Sequence, residues 1–170
     1  MEPTISISTV VRPHENPRKV EESILALFPD WNPESLPDEQ SFPRTREEVE
    51  LSGSAESLDI VLMIVRKQRV LDTALDAMTM GLVGDSTTFS LSRQSALAGK
   101  VSFVLNSDLL GGTMQVMIVG DDLSLWLEQQ TWHSGRDTVP RSVGDEYAMS
   151  SRGSPNEWFD GKGRRTMGEN

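Results

Sequence analysis

Two histidines, a Gly-Lys pair, an Asp-Asp pair and one run of cations and amides are the residues whose types and spacing invite a chemical reading. His14 sits in a proline-flanked turn and His133 follows the last apolar segment, each without a nucleophile or a second metal ligand at a useful spacing, so both read as surface histidines. Gly99-Lys100 has the ending of a phosphate loop, but Gln94 stands where its first glycine is required and Val101 where Ser or Thr would meet magnesium. Gly84-Asp85-Ser86 lacks the Gly-x-Ser-x-Gly elbow, and Asp121-Asp122 precedes an apolar run as a helix cap would. The chain has 0 Cys, which excludes disulfides, thiol catalysis and thiolate metal sites. A non-catalytic protein without cofactor or metal is expected.

The cations and amides are more informative. The 170 residues carry 16 Lys+Arg against 26 Asp+Glu, a net charge of -10 that excludes a globally basic nucleic-acid binder. Residues 1–65 hold five basic and 13 acidic side chains, whereas residues 66–100 hold five basic and three acidic, the only segment with a positive balance. Its cations lie in two groups, Arg66-Lys67-Gln68-Arg69 and Arg93-Gln94 with Lys100. Brought together, five cations and two amides suit phosphate oxygens. The competing reading is a solvated turn whose arginines pair with nearby acids such as Asp72.

These groups need elements to hold them. Ile5, Ile7, Thr9 and Val11 alternate with Thr4, Ser6 and Ser8, as in a half-buried strand. Asn16-Pro17 starts a helix carrying Val20, Ile24, Leu27 and Phe28 on one face. Residues 29–45 form a proline-rich acidic loop, and Val49 and Leu51 a short strand stopping at Gly53. From Ser54 or Ser57, as alternative caps, a stretch free of Gly and Pro runs to Met80. Propensity alone makes this one helix, but its apolar stripe turns by roughly 140° between Leu58-Val61-Leu62-Val65 and Leu71-Ala74-Leu75-Met78. A break over Arg66 to Arg69 is therefore expected, or else one helix buried by a partner chain. Strands follow around Thr87-Phe89-Leu91, Val101-Phe103 and Met114-Val116-Ile118, then a helix with Leu123, Trp126 and Leu127.

The order β-α-β-α-α-β-β-β-α predicts an α+β fold: a two-layer sandwich with a mixed, mostly antiparallel sheet, its last three strands a meander, and helices on one face. Residues 1–135 are expected to form one domain and residues 136–170 a disordered tail. The sheet's outer face, Thr4, Ser6, Ser8, Thr88, Ser90, Ser102 and Gln115, has no aromatic to stack a base. Trp126 reads as core, Trp31 and Trp158 as incidental. The longest apolar run, Ile60 to Val65, is too short to span a bilayer, and the N-terminus has no signal-peptide pattern, so a soluble cytoplasmic protein with no membrane partner is expected.

Four stretches carry a family resemblance: Val11-Arg12-Pro13 through Asn16-Pro17-Arg18-Lys19-Val20, Leu27-Phe28-Pro29, Arg66 to Ala74, and Arg93 to Phe103. They resemble an archaeal group known as uncharacterised protein family two hundred and one, over about Ile5 to Trp132, with Arg93 and Ser95 departing from the family's Lys and Ala. The resemblance implies a fold similar to the fifth protein of the large ribosomal subunit, no enzymatic activity, and a link to RNA-binding or exosome-associated factors. The function expected from residues and resemblance together is RNA binding, or association with a ribonucleoprotein, through Arg66, Lys67, Gln68, Arg69, Arg93, Gln94 and Lys100. The alternative is a protein-interaction or self-association module using the acidic N-terminal third and the last helix.

Overall fold

Strand periodicity sets the frame. In the computed structural model of the chain, which describes residues 2–33, 47–105 and 112–146, the first alternating segment is strand β1 (Thr4–Val11). Helix α1 (Pro17–Leu27) starts where Asn16 accepts a hydrogen bond from the Arg18 N–H at 2.9 Å, with Pro17 at the first helical position. Strands β2 (Asn32–Pro33) and β3 (Val49–Ala55) follow, then helices α2 (Asp59–Lys67) and α3 (Leu71–Thr79). Strand β4 (Ser86–Ser92), helix α4 (Arg93–Leu97), strands β5 (Phe103–Val104) and β6 (Thr113–Val119), helix α5 (Leu123–Gln130) and a 3-10 turn at Ser134–Asp137 complete the order.

The six strands form one sheet in the order β2-β3-β1-β6-β4-β5, each pairing antiparallel. Register aligns the apolar positions: Ile7 lies opposite Val116, and Val116 opposite Phe89. One face of the sheet, with Ile5, Ile7, Val116, Ile118, Phe89 and Leu91, is buried with Ile24 of α1, Val61 and Val65 of α2 and Leu75 of α3. The other face mixes small polar residues such as Ser6, Thr88 and Gln115 with exposed Val10, Met117 and Val119 and, among the described residues, has no aromatic. This is the expected two-layer α+β class.

Several details differ from expectation. The last three strands are not a meander: β6 skips β5 and inserts between β1 and β4, leaving β5 at the edge. The strand through Val49 and Leu51 continues past Gly53, because the missing side chain lets β2 approach. A Cβ at Gly53 would lie 2.4 Å from the Asn32 carbonyl oxygen. Ser54 is thus a strand residue opposite Ser6 rather than a cap. Trp31 is not incidental. It is 4% exposed, and its indole N–H donates to the Ile7 carbonyl at 3.1 Å.

Packing also continues beyond residue 135. Arg136 reaches the Glu128 carbonyl at 2.8 Å and the Thr131 hydroxyl at 2.9 Å. Arg141 pairs with Asp76 of α3 at 2.6 Å, with side-chain exposures of only 7% and 6%, and with Asp145 at 2.8 Å. Burial works against the Arg141 charge, but Asp145 and Asp76 outweigh it and raise its pKa. The segment through Glu146 thus straps onto α3 and α5; residues 147–170, with Trp158, lie outside the described set.

Candidate functional site

The break between α2 and α3 falls where the apolar stripe turns, and its backbone shows how. The Val70 N–H donates to the Val65 carbonyl at 3.1 Å and the Arg69 N–H to the Arg66 carbonyl at 3.2 Å, a pair of bonds that closes a helix around one left-handed residue. That residue is Arg69, at φ 60, where glycine is usual. A side chain in this conformation costs roughly 1–2 kcal/mol. With α2 ended, Val65 and Leu71 both reach the core although their stripes differ in phase.

Gln68 ties the break to the second cationic group. Its amide nitrogen donates to the Val101 carbonyl and its amide oxygen accepts the Val101 N–H, each at 3.0 Å. The side chain thereby satisfies both backbone groups of a buried residue. It is half-buried and structural, and it sets Lys100 beside the break. Arg66, Lys67, Arg69 and Lys100 are exposed.

The nearby acid is already engaged. One Asp72 carboxylate oxygen meets the His133 Nε2 at 2.9 Å and accepts from the Arg136 Nε at 3.0 Å. The Gly135 N–H donates to the His133 Nδ1 at 3.2 Å, which leaves Nε2 to donate to Asp72. His133 is therefore not a free surface histidine, and both its nitrogens are occupied. Asp72 pairs with the strap, not with the arginines of the break. Arg66 donates to the Trp132 carbonyl at 3.4 Å, and among the described residues no acid pairs with Arg66, Lys67, Arg69 or Lys100. Arg66, Arg69, Thr73 and His133 line an open cleft of about 720 Å³ together with Asp72, whose charge is met by Arg136.

Arg93 and Gln94 belong elsewhere. Arg93 is 4% exposed, its Nη2 bonded to Glu15 at 2.5 Å and its Nη1 to the Val10 carbonyl at 3.4 Å. Burial pushes this guanidinium below its ordinary pKa, against the pull of Glu15. Gly112 makes room for it, since a Cβ there would lie 1.8 Å from Nη2. Gln94 lines a groove with Asn16, Lys19 and Leu97 between α1 and α4. The seven residues read together from sequence thus separate into a surface set at the break, a structural tie, and an outlying pair. The outlying pair could not be separated in sequence, because Glu15 is 78 residues from Arg93. No described group of His, Asp and Glu could hold a metal ion, and no described helix is long and apolar enough to cross a membrane.

No family model matches the chain. A UPF0201 protein of Sulfurisphaera tokodaii is 39% identical over 100 residues, 59% of this chain and 66% of that protein. One from Thermococcus onnurineus is 30% identical over 142 residues, 80% of this chain and 96% of the relative. The chain spans only 28% of a longer UPF0200/UPF0201 protein of Archaeoglobus fulgidus. Among solved structures, a UPF0201 protein from Methanococcus jannaschii superposes with a TM-score of 0.63 at 25% identity, over 76% of this chain and 99% of that one. By sequence and by fold, the chain belongs to the UPF0201 family of archaeal proteins.

Proposed function

We propose that the chain binds RNA through backbone phosphates, at the surface formed by Arg66, Lys67, Arg69 and Lys100. The observation that carries this reading is the engagement of Asp72 by Arg136 and His133, which leaves the cations of the break without an acid among the described residues. In a chain at net charge -10, an unneutralised group of this kind is where a polyanion meets least repulsion. Arg69 supports it further, since arginine occupies a left-handed position that glycine would fill more stably. Among the described residues the sheet face has no stacking aromatic, so the contacts of these four cations are with the phosphate backbone. Filter binding of total RNA at low salt tests the reading, with Arg66→Ala/Arg69→Ala as the variant expected to lose retention.

A protein-interaction or self-association surface is the second reading, favoured by the exposed Leu125 of α5. Sedimentation across a concentration series tests it.

A further inference from the structure

Trp132 follows α5 with 51% of its surface exposed, although an indole is costly to leave in water. Its backbone is pinned on every side. The Trp132 N–H donates to the Gln129 carbonyl at 3.3 Å, its carbonyl accepts from Arg66, Thr131 before it is buried, and His133 after it is held by Asp72. The exposed side chain thus projects from a backbone held in place. Among the described residues it has neither an aromatic partner nor a cation over its face; the one ring pair is Phe89–Phe103. Beside it, α2 exposes Met63, Arg66 and Lys67 at the i, i+3, i+4 spacing of one helical face. Past His133 the cleft opens to Arg69.

An exposed tryptophan whose backbone carbonyl is held by Arg66, one residue from the His133 that lines the cleft with Arg66 and Arg69, is a place for a base and its phosphate. We propose that Trp132 is a base-stacking residue that makes this surface selective for single-stranded nucleic acid, a proposal that rests on phosphate binding at Arg66 and Arg69. Cations alone attract duplex and single strand alike. An exposed π face gains only from a base not already stacked on its neighbours, and stacking is tolerant of sequence because every base has such a face.

The test uses the full chain and fluorescence anisotropy with a labelled 12-nucleotide oligouridylate, a labelled RNA duplex, and inorganic polyphosphate as a base-free competitor. Trp132→Ala is expected to weaken the single strand about tenfold, with duplex and polyphosphate binding changed less than about twofold and Trp132→Phe restoring most of the loss. The proposal is overturned if Trp132→Ala binds the single strand like the parent while Arg66→Ala/Arg69→Ala loses it, a result that leaves the phosphate reading standing. It also falls if Trp132→Ala weakens all three probes equally or changes the sedimentation coefficient, which marks Trp132 as a structural or protein-contact residue. Absence of binding by the parent chain to every probe removes both readings.

Discussion

Gln68 and Val101 pair as two strand residues would, although one partner is a side chain: two reciprocal hydrogen bonds of 3.0 Å join a helix break to a loop 33 residues away. This relationship holds the cations of residues 66–69 near Lys100, and it makes the surface a property of the fold rather than of one flexible turn.

Gln68→Ala leaves both Val101 backbone groups without these partners, and each buried unpaired group costs about 1–3 kcal/mol. The thermal midpoint should fall by several degrees, read by circular dichroism. Gln68→Glu should fall as well, because a carboxylate accepts the Val101 N–H but cannot donate to its carbonyl. A Glu variant as stable as the parent would show that only one of the two bonds matters.

Arg69→Gly should raise stability by about 0.5–1 kcal/mol, the left-handed penalty being partly offset by glycine's freedom in the unfolded chain. The same change should weaken polyanion binding. Denaturant unfolding and anisotropy on one preparation read the two effects; a loss of stability would mean that the Arg69 side chain supports the break.

How much of this was legible beforehand differs by element. The break was, because a 140° turn of the apolar stripe is a purely local signal. The capping of α1 was too, since Asn16 and Pro17 act within their own turn. Partners brought together by the sheet were not. Trp31 sits in a proline-rich stretch and is core only because the fold brings its indole N–H to the Ile7 carbonyl of β1, 24 residues earlier. Arg93 reads as one more cation until β4 and β1 are placed two strands apart and Glu15 comes within reach. The strap is not legible in sequence, because a Gly-rich, charge-balanced composition conceals two arginines whose acids, Asp72 and Asp76, lie on a helix over 60 residues earlier.

Arg93→Ala removes the buried guanidinium from Glu15, which keeps its hydrogen bond from the Arg12 N–H, and breaking such a largely buried pair costs about 3 kcal/mol. Stability should drop by that order in urea unfolding while the salt dependence of RNA binding at fully folded conditions stays as in the parent. A changed salt dependence would return Arg93 to the binding surface.

Arg141→Ala should destabilise the chain by about 3 kcal/mol, because it removes the cation facing the buried Asp76. Replacing both partners, Arg141→Met with Asp76→Asn, should recover much of the loss. Calorimetry on the three chains checks this, and an Arg141→Ala chain with an unshifted midpoint would show the strap to be loosely held.

The measurement closest to the central claim is the salt dependence of RNA affinity for the parent chain and for Arg66→Ala/Arg69→Ala. Neutralising about three phosphates predicts a slope of log K on log salt near −2 to −3, flattened by the double substitution with the unfolding midpoint unchanged. A parent chain without salt-dependent affinity, or a variant with the parent's slope, would contradict phosphate binding at the helix break.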